Sequence, residues 1–322
     1  DLFLFFLIFA GWVLGSALFL QAFRSWPGKI LGPLGLLILS ALTYHISDVY
    51  VAQEFAVLST IPLFLCFRRS WLENRYILWG GLAWVGLASG CSNLIRAQAG
   101  TGIVLFAFLW ILLSRLLTVR QKAAGLLVLA CFFMAPYLHF GALEKQRDRF
   151  LSEKTADYQP VPLGHHFWHN AYIGLGYLPN RYGIQYLDEN ADAKVKSIDP
   201  TASYQSEAYL GILKGEILKL LRTDPFFILR TVFAKALKLA WYALLFGNIG
   251  WFFLWRLKPG PGWVLPIAAA AAFDSLPGLL VMPFKNYVLG MISLVVVAGL
   301  YLCGLGADRY WADARERGTE HP

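Results

Sequence analysis

The feature that most constrains this chain is a series of nearly uninterrupted apolar runs, each of roughly 17 to 22 residues, the length a helix needs to cross about 30 Å of hydrocarbon at about 1.5 Å per residue. They occupy 2–21, 30–46, 51–67, 77–95, 100–117, 123–141, 236–255, 261–282 and 286–306. Only 15% of the 322 residues are charged and 57% are hydrophobic, against about 25% charged in an ordinary soluble domain. A water-soluble fold has nowhere to place so much apolar surface. The expected fold class is an all-α polytopic membrane protein with about nine spans.

The net charge of +8 does not indicate a nucleic-acid partner, because the Lys and Arg residues form short clusters between apolar runs rather than a basic stripe. Those clusters alternate. Arg24 and Lys29, Arg68, Arg69 and Arg75, Arg115, Arg120 and Lys122, Arg256 and Lys258, and finally Arg309, Arg315 and Arg317 fall in every second connection. By the positive-inside rule these connections are cytoplasmic, which puts the 47–53 loop, Arg96, residues 142–225 and Lys285 on the opposite side. The expected organisation is a six-span bundle over 1–141, an extracytoplasmic domain over 142–225, a three-span bundle over 226–306 and a cytoplasmic tail over 307–322. The chain opens at Asp1 directly into a span without the basic region of a signal peptide, so the numbering is expected to start partway along a longer protein.

Cys66, Cys91, Cys131 and Cys303 all lie inside apolar runs and are expected as small core residues rather than a disulfide or metal set. Within 142–225, the stretch TASYQSEAYLGILKGEILKLLRTDP spaces Tyr209, Ile212, Leu213, Leu220 and Leu221 toward one helical face, which predicts an amphipathic helix. Asp224 and Pro225 then read as the N-cap and first position of a further helix, expected to lie along the interface before turning in.

Ionisable groups in and beside apolar runs are the candidates for chemistry, since they are costly there without a purpose. His45, Asp48 and Glu54 flank the short outer loop YHISDVYVAQE. Asp48 and Glu54 are candidate catalytic carboxylates that could orient an acceptor, act as a base or hold a divalent metal, or could simply end one helix and cap the next. Arg96, beside Ser92, Asn93, Gln98 and Thr101, suits a phosphate or carboxylate and equally a snorkelling helix end. Arg230, Lys235, Lys238 and Lys285 form an expected cationic collar that could hold a lipid phosphate or ordinary anionic lipid.

The segment PLGHHFWHNAYIGLGYLPNRYGIQYLDENAD carries the densest set of hydrogen-bonding side chains. His165, His166, His169, Asn170, Tyr172, Tyr177, Asn180, Tyr182, Asp188 and Glu189 are candidates for binding a hydroxylated substrate. The alternatives are a rigid aromatic loop docked on the bundle, or zinc held by His165 or His166 with His169 on one helical turn, though no HExxH accompanies them. No Walker A loop, GxGxxG after a strand or GxSxG is present, which removes support for nucleotide-driven and serine-hydrolase chemistry.

Several of these features resemble the GT-C superfamily of integral-membrane glycosyltransferases, the class of protein mannosyltransferases and lipid A aminoarabinose transferase. Glu54 opening EFAVLSTIPLFLCF is similar to the acidic start of that class's fourth helix, GLAWVGLASGCSNLIRAQAG to its Gly-rich helix ending in a basic residue, the long loop before DPFFILR to its periplasmic loop, and FKNY to its RY motif. The resemblance covers most of the chain. It implies a transferase moving sugar from a polyprenyl-phosphate carrier to an extracytoplasmic acceptor, in a cell-envelope membrane such as the bacterial inner membrane, with membrane lipids and partner membrane proteins around it. It also implies a catalytic Asp in a first outer loop upstream of Asp1. The rival expectation is a non-catalytic membrane subunit whose outer loop docks a partner complex. A transporter has less support, because no pair of Gly/Pro-broken helices recurs in matching halves.

Overall fold

The structure is a computed structural model that describes residues 2–46, 48–155, 158 and 167–319. Among the described residues all regular structure is helical. The expected apolar segments are largely helical, with 59–60, 66–67, 114–117 and 286–288 among the residues in turns or irregular chain. Six of the helices are long and apolar enough on their own to cross a membrane, which makes this an integral membrane protein by length and composition. The chain divides into two compact units, one of Asp1–Gln159, Tyr242–Asp274 and Leu289–Pro322, the other of Pro160–Trp241 and Ser275–Val288.

In the first unit, α1 (Leu2–Ala22) is apolar on every face, as a lipid-exposed helix can be. α2 (Trp26–Tyr44) starts where Ser25 Oγ accepts the Gly28 N–H at 3.3 Å and Pro27 fits the first turn. The 51–67 segment is split into α3 (Val51–Leu58) and α4 (Ile61–Leu65). Pro62 supplies no N–H to the preceding turn, and the Ser59 and Thr60 hydroxyls cap carbonyls of Ala56 and Val57 instead. After the single turn α5 (Arg69–Leu72), α6 (Arg75–Ile95) is capped by Asn74. Its Gly86 and Gly90, four residues apart, let α8 (Val119–Lys154) approach closely: a Cβ at Gly86 would meet the Leu129 carbonyl at 2.7 Å. Between them, α7 (Thr101–Leu113) is short and wholly apolar.

The Thr118–Gln121 capping box starts α8, and its 36 residues run past the expected end at 141. At about 1.5 Å per residue it is longer than the hydrocarbon is thick. α12 (Pro225–Leu257) is likewise one helix, not an interfacial piece followed by a span. α13 (Pro261–Leu280) precedes α14 (Leu289–Thr319), whose apolar stretch is mostly buried and packs on α2 and α3. Trp110, Phe64, Phe106 and Tyr301 fill the core of this unit, whereas α1, α2 and α12 present large apolar side chains outward. Outward Phe and Leu are stable in lipid and not in water.

The second unit has its own small core. α9 (Phe167–Gly174), a 3-10 turn (Leu175–Tyr177), α10 (Asp188–Lys196) and α11 (Glu207–Thr223) bury Tyr172, Ile173, Val195, Tyr209 and Leu213 together. α11 is the expected amphipathic helix, begun by Ser206, whose Oγ accepts from Tyr209 N at 3.2 Å. Leu221 lies outside its buried face, half exposed at 50%. Asp224 caps α12, with Oδ1 accepting the Phe227 N–H at 3.1 Å.

Candidate functional site

In the first unit α3 packs against α6 and α14 and α6 against α7, and Asp274 of α13 lies against Gly102 at the start of α7 and Gly290 at the start of α14. Polar groups concentrate along these contacts. Arg96, the residue after α6, lies with its guanidinium 3.7 Å from the centre of the Tyr50 ring and donates to the Tyr50 hydroxyl at 2.7 Å. That arrangement fixes a cation by its flat face and by an edge at once. Below it, Asn93 Oδ1 accepts the Gly100 N–H at 2.6 Å and its amide donates to Thr101 at 2.9 Å, fastening the turn between α6 and α7.

Glu54 is 0% exposed. Ser40 donates to its Oε1 at 3.3 Å, and Oε2 has no hydrogen-bond partner among the described residues. Next to it in sequence, Gln53 Oε1 accepts the Gly290 N–H at 2.7 Å, tying α3 to α14.

Asp274 is the residue that reading the sequence missed. It is 7% exposed, inside an apolar helix, and its Oδ2 has no hydrogen-bond partner among the described residues. Two glycines make room for it. A Cβ on Gly290 would stand 2.9 Å from Asp274 Oδ2 and 3.3 Å from Gln53 Oε1, and a Cβ on Gly102 would collide with the Asp274 carboxylate outright. Gly102 and Gly290 therefore pack directly on the Asp274 carboxylate, with Gln53 Oε1 beside Gly290. The signal was present in the sequence: a single carboxylate after the Ala268–Ala272 run, in the span expected at 261–282.

Asp48 is exposed and its Oδ1 accepts the Val49 N–H at 2.6 Å. It shapes the turn before α3 and is not gathered into the buried cluster with Glu54.

In the second unit, His165 and His166 lie outside the described residues. His169 is buried, with Nδ1 2.9 Å from the Tyr209 hydroxyl and Nε2 3.0 Å from Asp188 Oδ1. Burial pushes the Tyr209 phenol up, with the neighbouring Tyr204 and acidic groups adding to the rise. The Asp188 carboxylate can only accept, so in the neutral imidazole Nε2 carries the ring proton toward Asp188 and Nδ1 accepts from the Tyr209 hydroxyl. Tyr172 is buried nearby, pushed up to about 12 chiefly by burial and then by the charge of Glu216. Tyr182 donates to Asp224 at 2.7 Å. Asn180 bridges its own loop through the Leu178 and Ile184 carbonyls and the Tyr182 and Ile184 N–H groups. These side chains are committed to holding the unit's own structure. Asn170 and Tyr177 are half-buried, and Asp188 and Glu189 are exposed at the start of α10.

The expected cationic collar divides. Arg230, Lys238 and Lys285 are exposed, but Lys235 is 2% exposed and its ammonium donates to the carbonyls of Leu279, Leu280 and Val281 at 3.0, 3.4 and 2.8 Å. A cation so occupied neutralises the carbonyl end of α13 and is not part of a surface collar. Among the described residues, no group of three His, Cys, Asp or Glu side chains is placed to hold a metal ion.

Comparison of the chain with models of known protein families, with curated proteins and with solved structures returned no match.

Proposed function

We propose that this protein is a membrane glycosyltransferase that takes a sugar from a polyprenyl-phosphate carrier and passes it to an acceptor on the side of the membrane opposite the basic connections. The observation that supports it is the presence of two buried carboxylates, Glu54 and Asp274, each with an oxygen that has no hydrogen-bond partner among the described residues, in the same unit as the Tyr50-braced Arg96. Buried carboxylates with unsatisfied oxygens are costly in an apolar bundle, and a carboxylate working with a fixed guanidinium is what acid–base chemistry at a phosphate leaving group requires. Arg96 binds the carrier phosphate and stabilises the charge it gains as the sugar departs. Glu54 or Asp274 accepts the acceptor's hydroxyl proton as its oxygen bonds to the sugar. Nine helices cross the membrane in this reading, residues 142–225 are extracytoplasmic, and the membrane is the bacterial inner membrane.

The test is transfer from a synthetic polyprenyl-phosphate sugar by the full chain in nanodiscs, with carrier binding measured in parallel. Arg96→Ala is expected to weaken carrier binding about tenfold or more, and Glu54→Gln or Asp274→Asn to lower turnover by two orders of magnitude or more with binding retained. Carrier binding unchanged in Arg96→Ala removes the phosphate site from Arg96. Binding without turnover in the unsubstituted chain, across donor sugars, favours a non-catalytic subunit.

A further inference from the structure

The first unit also holds a cavity of about 720 Å³, within the size range of small-molecule and cofactor pockets. It opens where α4 and α7 end, beside the connection between α12 and α13 and against α14. Phe67, Trp110, Trp263 and Tyr301 form its walls, and Arg68 and Arg115 supply its charge, with no acidic side chain in the lining. Arg68 is already paired with Asp308 at 2.8 Å, so Arg115, which is exposed, is the cation left for a ligand.

Aromatic walls and one available guanidinium describe a ligand that is apolar along its length and anionic at its head. We propose that this cavity binds an anionic phospholipid, its phosphate held by Arg115 and its acyl chain lying along the aromatic wall. The site is at the basic-connection end, away from Glu54, Asp274 and Arg96, and does not depend on the transferase assignment. A lipid held there braces α4, α7, α13 and α14 against one another.

The test uses the full chain in nanodiscs doped with a phosphatidylglycerol carrying a photoreactive acyl chain, followed by peptide mapping. Crosslinks are expected to concentrate on residues 110–116, 257–263 and 301–305, and to fall about tenfold in Arg115→Gln, an exposed position whose replacement leaves the fold intact. A photoreactive phosphatidylcholine of the same chain should label these peptides weakly. Equal labelling by both lipids, labelling spread evenly over the outward faces of α1, α2 and α12, or no change in Arg115→Gln overturns the proposal. Loss of crosslinking when millimolar inorganic phosphate is added assigns the site to a free phosphate and overturns the lipid occupant.

Discussion

Arg68 and Asp308 meet across the first unit at 2.8 Å, and the same carboxylate accepts the Arg24 and Ser25 N–H groups at 2.9 and 2.8 Å and the Ser25 hydroxyl at 2.8 Å. Arg68 also donates to the Ala22 carbonyl. One acidic side chain on α14 therefore fastens the α1–α2 turn and the end of α4.

Asp308→Ala is expected to cost about 2–3 kcal/mol, because it strands several donors at once. Asp308→Asn keeps an acceptor and should cost less. Thermal unfolding in detergent, followed by near-UV circular dichroism, orders the two variants; equal midpoints would show that the turn is held elsewhere.

Gly102→Ala drives a methyl group into the Asp274 carboxylate. Overpacking of this kind costs about 1–3 kcal/mol. Because the clash is with one side chain, Gly102→Ala combined with Asp274→Ala should be more stable than the sum of the two single losses, a coupling that a double-mutant cycle reads directly.

His169→Phe keeps the bulk of the ring but leaves the buried Tyr209 hydroxyl without its acceptor. The expected loss is about 1–3 kcal/mol, confined to the second unit, so protease added to the intact protein should cut around α9 to α11 sooner while the helices of the first unit stay protected. Adding Tyr209→Phe to His169→Phe should recover part of the loss, since it removes the stranded group.

Asp224 is held below the ordinary carboxylate range, first by the Tyr182 hydroxyl and then by the Phe227 N–H, which outweigh desolvation, with the Arg181 charge adding a lesser lowering. Its folded value is depressed, so its contribution to stability is complete above the unfolded value of about 3.9 and disappears as pH falls through the lower folded value. Asp224→Asn should flatten the acid limb of the unfolding curve of the second unit and leave the curve above about pH 5 parallel to that of the unsubstituted protein.

Hydrophobic run length carried most of the architecture, because in lipid a helix is nearly the only way to satisfy every backbone group. The boundaries it missed have local causes. α8 continues beyond its apolar run because Glu144, Lys145 and their neighbours are as compatible with helix as the residues before them, and the 51–67 run breaks at Pro62 although its hydropathy does not change. The site was legible in part: Glu54 and Arg96 stand out because a charge at a span end is visible in one dimension. Tyr50 beneath Arg96, the Gly102 and Gly290 spaces around Asp274, and the carbonyls that receive Lys235 come from segments distant along the chain. No spacing rule reaches them.

The three carbonyls around Lys235 also bear on how the chain enters the membrane. The acceptors at Leu279 to Val281 lie 44 to 46 residues after Lys235 and are made after it, and an ammonium at the border of an apolar helix is held at lower cost with acceptors than without them. Docking of α13 against α12 therefore lowers the cost of placing Lys235 at this depth. The order of synthesis, as well as hydropathy, bears on how this pair of helices settles.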